Sequence, residues 1–288
     1  ALGLRGAGAL WRFWFNRGHL SEGRGWLERL LILDANTGYS APPDVRAKAL
    51  NGAGVLAYRQ RDYARAITWH EESLALRRRL GDKQGISASL GNLSIVARDQ
   101  GDYDRAEALC AESLGLQREL RDTWGIAACL SNVGEIARDR GDFARAATCC
   151  DESLALFREL GDQWGIALAL GSLGRVAYRQ GDDERAAQLC DASRVMFLEL
   201  GNKGGVADAL ITLGHIARDG ADDGRARALY GEALHLHHTF GERVGTLACL
   251  EALAGSAQAG GQSEQAVRLY AAAATLRHAL GTPLPLID

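Results

Sequence analysis

Apolar positions in this chain recur with a helical period nested inside a much longer one. Across residues 83–120, Ile86, Leu90, Leu93 and Ala97 fall at i, i+4, i+7 and i+11, a single apolar stripe. Gln100-Gly101-Asp102 interrupts it, with Gly suited to a left-handed helix exit and Asp to capping the helix that follows. Ala106, Leu109, Cys110, Ser113, Leu116 and Leu120 then form a second stripe. The spacing predicts two helices joined by a tight turn. The whole pattern returns every forty residues, in Ala66, Ala106, Ala146, Ala186, Ala226 and Ala266 and again in Gly85, Gly125, Gly165, Gly205 and Gly245. Strand signals are missing, because β-branched residues are sparse and never alternate. One helix pair cannot bury its apolar face alone, so neighbours must stack.

The units read as a divergent first copy over 1–41, followed by 42–82, 83–122, 123–162, 163–202, 203–242 and 243–288, the last including a tail. Pro42–Pro43 absorbs a three-residue offset after the first copy, and the other two prolines, Pro283 and Pro285, lie near the end. Nothing between them forbids helix on proline grounds. The expected fold is therefore all-α, a right-handed α-α superhelix of about seven helix pairs.

Composition narrows the function classes. Thirty-three basic against 36 acidic side chains leave a formal charge of −3. Such a field does not recruit a polyanion, so direct nucleic-acid binding is not expected. No stretch approaches the length of a membrane span and no signal peptide opens the chain, so no membrane partner and a cytoplasmic location are expected. The sole methionine is Met196, and Trp11, Phe13, Trp14 and Phe15 crowd the first unit. Both features suit a piece of a longer chain, and the aromatic cluster suits contact with a neighbouring domain or self-association.

A small-residue code separates the candidate solenoids. Gly54, Ser94, Gly134, Gly174, Gly214 and Ala254 each precede one repeated Ala by three positions and a second by twelve. This resembles the tetratricopeptide (TPR) pattern, in which small side chains let paired helices approach closely. The TPR resemblance implies that a second stripe, opposite the buried one on each first helix, lines a concave groove. In the third unit that stripe holds Ala88, Gly91, Asn92, Ile95, Arg98 and Asp99. Along the array it gives Tyr58 and Arg59, Asn92 and Arg98, Asn132, Glu135 and Arg138, Arg175, Tyr178 and Arg179, then His215 and Arg218. On one reading these grip a protein or peptide segment: Asn bonds its main chain, Arg takes carboxylates of an acidic ligand, and Tyr adds apolar contact. On the other, each Arg pairs with the Asp beside it, a solvated lattice of weak ion pairs. Arg59, Arg175 and Arg179 have no adjacent acid, which favours binding there.

Other clusters resemble chemistry without supporting it. Cys110, Cys150 and Cys190 share one repeated core position and read as buried thiols. His235, His237 and His238 lack the further ligands a metal site needs. No phosphate-binding or nucleophile-elbow motif occurs. Neither enzyme activity, metal nor cofactor is expected. Trp124 and Trp164, forty residues apart, are expected to staple neighbouring units.

The segment Ala9-Leu10-Trp11-Arg12-Phe13-Trp14, together with Arg17-Gly18-His19-Leu20 and Trp26-Leu27, resembles the first TPR unit of bacterial signal-transducing regulatory ATPases, including LuxR- and SARP-type transcription regulators. Residues 266–285 resemble the end of the same array. That resemblance implies a sensor arm within a larger chain, binding a partner and taking part in assembly. The Leu-Gly-Asp and Leu-Gly-Asn-Leu sequences are also similar to those of animal polarity adaptors that bind acidic segments. A stand-alone TPR adaptor and a small-molecule receptor are the alternatives.

Overall fold

The computed structural model describes residues 2–36, 41–239 and 241–280. Among them lie fourteen α-helices and no strand. In chain order these are α1 (Leu2–Arg17), α2 (Leu20–Asn36), α3 (Pro43–Arg59), α4 (Tyr63–Leu80), α5 (Lys83–Asp99), α6 (Tyr103–Leu120) and α7 (Thr123–Asp139). They continue with α8 (Phe143–Leu160), α9 (Gln163–Arg179), α10 (Asp183–Glu199), α11 (Lys203–Asp219), α12 (Asp223–Thr239), α13 (Arg243–Ala259) and α14 (Ser263–Leu280). Odd-numbered helices open each hairpin and even-numbered ones close it.

The turns follow from local chemistry. Gly101, Gly141 and Gly181 take φ near 80° after the first helices, and Gly81, Gly161 and Gly201 take φ of 66–67° after the second ones. Arg61, Arg121 and Ala221 hold the same left-handed conformation without being glycine. One residue later an Asp side chain caps the next helix. Asp62, Asp102, Asp142 and Asp182 each accept from the backbone N–H three residues on, at 3.1–3.2 Å. An orphan amide is thereby satisfied at every such entry.

The chain divides between Ile136 and Ala137, within α7, into two compact units. In the first, α1 packs on both α2 and α3, then α2 on α3, α3 on α4, α4 on α5 and α5 on α6, with α3 also touching α5. Leu27, Leu50, Leu56, Ala66, Trp69 and Val96 form its largest core cluster. Within the second, α9 touches α11 and α11 touches α13, around Ala167, Phe197, Ala207, Leu210 and Cys249.

Two size rules hold the helices at close range. The first operates inside a hairpin. A Cβ built on Gly54 would fall 2.6 Å from His70 Cε1, and one on Gly214 would fall 2.5 Å from Tyr230 Cε1. Gly174 faces Cys190 in the same way, and where the first member is Ser94 the second is Cys110, Oγ and Sγ 2.9 Å apart. The second rule operates between hairpins, where Arg77, Gln117, Phe157, Phe197 and His237 lie across Gly85, Gly125, Gly165, Gly205 and Gly245. A buried serine adds a further tie. Ser73, Ser113 and Ser193 on second helices donate to the carbonyls of Ala47, Ser87 and Ala167 at 2.9, 3.1 and 2.7 Å.

The aromatic first helix is largely absorbed. Trp14 is buried against Gly23, Trp11 lies over Gly52, and Phe15 is half-buried; Phe13 stays 52% exposed. Because α1 contacts two helices, it can bury aromatic rings on two of its faces. Trp124 and Trp164 are 47% and 42% exposed, so each ring is covered over about half its surface. Beside them Gln117 lies over Gly125 and Phe157 over Gly165. All six cysteines are free thiols, five buried and Cys149 half-buried.

Candidate functional site

In the first unit, the candidate side chains Tyr58, Arg59, Asn92, Arg98, Asn132 and Glu135 stand half-buried on α3, α5 and α7. Tyr58 Oη donates to Asp99 Oδ2 at 2.8 Å, and burial together with the Asp99 charge pushes its hydroxyl well above the usual tyrosine range. Arg98 donates through Nε and Nη2 to Asp99 Oδ1 at 3.3 and 3.0 Å, with Nη1 3.8 Å from Glu135 Oε2. Burial works against the Arg98 charge, but Glu135 and Asp99 outweigh it and raise the guanidinium pKa. Asn92 Nδ2 donates to Asn51 Oδ1 at 3.0 Å, so part of its amide is committed within the protein. Arg59 lies over the Phe15 ring, 5.3 Å from its centroid, instead of on a carboxylate.

The second unit carries Arg138 at the end of α7, Arg175, Tyr178 and Arg179 on α9, and His215 and Arg218 on α11. Arg138 and Arg218 each donate to the Asp that follows them, through Nε at 3.0 and 2.9 Å respectively. Tyr178 Oη donates to Asp219 Oδ2 at 2.6 Å, and burial and this partner push its pKa up to about 12. Burial would raise the Asp219 pKa, but the bonds from Tyr178 and Arg218 hold it below the usual value. Arg175 Nη2 donates to Ser172 Oγ at 3.1 Å, and Arg179 lies 5.7 Å from the Phe143 ring centroid. The His215 ring stacks on Tyr178 at 6.1 Å, and its Nδ1 lies 2.7 Å from Tyr230 Oη. Burial first, and Arg218 second, lower its pKa.

One device thus occurs in both units. A tyrosine on one first helix reaches an Asp 41 residues on, in the next first helix, and that Asp also takes the Arg beside it. Adjacent Arg and Asp are ion-paired at the ends of three first helices, in Arg98-Asp99, Arg138-Asp139 and Arg218-Asp219. Of the three arginines lacking an adjacent acid in sequence, Arg59 and Arg179 lie over aromatic rings and Arg175 bonds a serine hydroxyl. Sequence reasoning missed Asn51, which stands 41 residues before Asn92, and the bond of Tyr230, which shares its repeated position with Cys110, Cys150, Cys190 and Tyr270. The 41-residue separation of partners was the available signal. Among the described residues no group of three His, Cys, Asp or Glu side chains could hold a metal. No described helix is long and apolar enough to cross a membrane.

Residues 45–119 and 125–191 match the tetratricopeptide-repeat family model. The fold is a TPR-like solenoid. A Rap protein complexed with competence and sporulation factor is similar to this chain at a TM-score of 0.77 and 15% identity, over 94% of this chain and 73% of that one. NprR in complex with its cognate peptide NprX gives 0.74 and 14%, over 94% and 77%. BtubC from P. vanneervenii gives 0.59 and 21%, over 78% and 95%. The search of curated proteins gave no match. At these identities the likeness is one of TPR fold, a fold that is generally non-enzymatic.

Proposed function

We propose that this TPR array is a non-enzymatic peptide-binding scaffold, whose first-helix faces take an acidic segment of a partner protein. We infer further that it serves as the sensor arm of a larger cytoplasmic bacterial regulator, an ATPase or transcription regulator of the LuxR or SARP type. The observation that carries the first reading is the register itself. Within the first unit Tyr58 and Arg98 take equivalent positions on α3 and α5, and within the second Arg175 and His215, and likewise Tyr178 and Arg218, take equivalent positions on α9 and α11, side chains half-buried and polar. A row of this kind repeats donors at intervals that an extended or helical chain can follow. Peptide complexes among proteins of similar fold, Rap with its factor and NprR with NprX, support the same reading. Support for the regulator comes from the resemblance carried by residues 9–27 and 266–285.

The arginines without an adjacent acid offer the sharpest test. Replacing both Arg175 and Arg179 with Glu is expected to abolish octaglutamate binding in isothermal titration calorimetry while far-UV circular dichroism stays unchanged. Unchanged affinity in that variant would overturn the acidic-ligand reading.

A further inference from the structure

The aromatic and imidazole cluster of the second unit has a feature that the ion-paired arginines lack. Tyr230 is fully buried, and its hydroxyl meets only one hydrogen-bonding partner among the described residues, His215 Nδ1 at 2.7 Å. If Nδ1 carried the imidazole proton, the tyrosine oxygen would accept and its own proton would have no acceptor among the described residues, a buried donor left unmade. Tyr230 therefore donates, and the neutral ring carries its proton on Nε2. The ring plane is fixed as well. Tyr178 stacks on one side at an interplanar angle of 17° and is itself anchored by Asp219, while Tyr230 meets the imidazole edge-on at 61°. Nε2–H has no hydrogen-bond acceptor among the described residues and is not sealed from solvent.

We propose that His215 Nε2–H is a preorganised donor that anchors a carboxylate of the peptide bound by the second unit. The proposal rests on the peptide-binding reading above and names one of its contacts. Two further observations point to a carboxylate over other acceptors. Arg175 stands at the position equivalent to His215 one repeat earlier, on α9, which packs against α11. Neighbouring packed helices lie roughly 8–10 Å apart, so a single acidic side chain can lie between the two groups. The Asp219 carboxylate, four residues on in α11, is engaged by Tyr178 and Arg218 and makes no hydrogen bond with His215. A fixed donor loses little freedom on binding, which is what makes such a group effective.

Two measurements on the full chain test this. The first needs no ligand. Long-range nitrogen-15 correlation spectra of the imidazoles, with His215 assigned by its loss in His215→Gln, are expected to show the Nε2–H tautomer; a dominant Nδ1–H tautomer would overturn the proposal. The second compares octaglutamate affinity across variants of unchanged helicity. Gln places its amide nitrogen near the Nε2 position, so His215→Gln should retain affinity within about threefold, whereas His215→Phe, which keeps the stack and loses the donor, should lose roughly tenfold or more. Wild-type binding with no loss in His215→Phe defeats the anchor and leaves the peptide-binding reading standing. Absence of octaglutamate binding by the wild type defeats both.

Discussion

Gly214→Ala probes the packing that fixes each hairpin. Gly214 lies inside α11, and an added Cβ would sit 2.5 Å from Cε1 and 2.7 Å from Cδ1 of Tyr230. That ring is fully buried and tethered through its hydroxyl to His215, so it cannot swing away as a flexible side chain would. Restoring ordinary contact requires the two helices to separate by about 1 Å, and overpacking of this kind costs about 1–3 kcal/mol. Against it, Ala is favoured over Gly in a helix interior by about 0.5–1 kcal/mol. The net expectation is destabilisation by about 0.5–2 kcal/mol. Gly231→Ala in α12 supplies the control, since nothing lies within 4 Å of its added Cβ and only the helical gain of about 0.5–1 kcal/mol remains. Urea unfolding followed by circular dichroism should therefore move the two midpoints in opposite directions. Equal stabilisation by both substitutions would show that the helices are not in the close contact described.

Three other outcomes follow from the same structure. Arg121 holds a left-handed φ of 53° at the exit of α6, so Arg121→Gly should stabilise the chain by about 0.5–1 kcal/mol in the same assay. His70 is buried, and burial, with Arg77 adding to it, depresses its pKa from 6.5 to about 3; the unfolded chain therefore takes up a proton that the folded one refuses. Its contribution to stability is intact above pH 6.5 and is lost as pH falls from there towards 3, by about 1.4 kcal/mol per pH unit. Unfolding midpoints measured across that range should fall more steeply for wild type than for His70→Leu. Finally, burial raises the thiols of Cys110 and Cys190 to about 11 and that of Cys249 to about 12. Half-buried Cys149 should react first with a disulfide-exchange reagent at neutral pH, the rest only after denaturation; rapid labelling of the buried thiols would count against this packing.

Sequence patterning carried the architecture further than the site. The forty-residue recurrence reports backbone geometry, because Gly101-Asp102 or Gly141-Asp142 must give the same left-handed turn and Asp cap wherever it occurs. The small-residue code was legible for the same reason, since Gly54 and Gly214 are small where large residues of the partner helix need space. Site partners were harder to read. Tyr58 and Asp99, or Asn51 and Asn92, become neighbours only once successive hairpins are offset by 41 positions. That offset depends on how helices stack, which periodicity does not encode. The same limit hid the joints themselves, where Gln117 and Phe157 lie across Gly125 and Gly165 beside the half-covered Trp124 and Trp164. Buried Ser73, Ser113 and Ser193 look like ordinary polar helix positions, and their role emerges only from the carbonyls they face.

Nitrogen–proton correlation spectra of the chain titrated with octaglutamate put the peptide-binding proposal to the most direct test. Shift changes concentrated at Arg175, Tyr178, His215 and their neighbours on α9 and α11 are the expected result. Changes confined to the exposed sides of α10 and α12, with α9 and α11 silent, would contradict it.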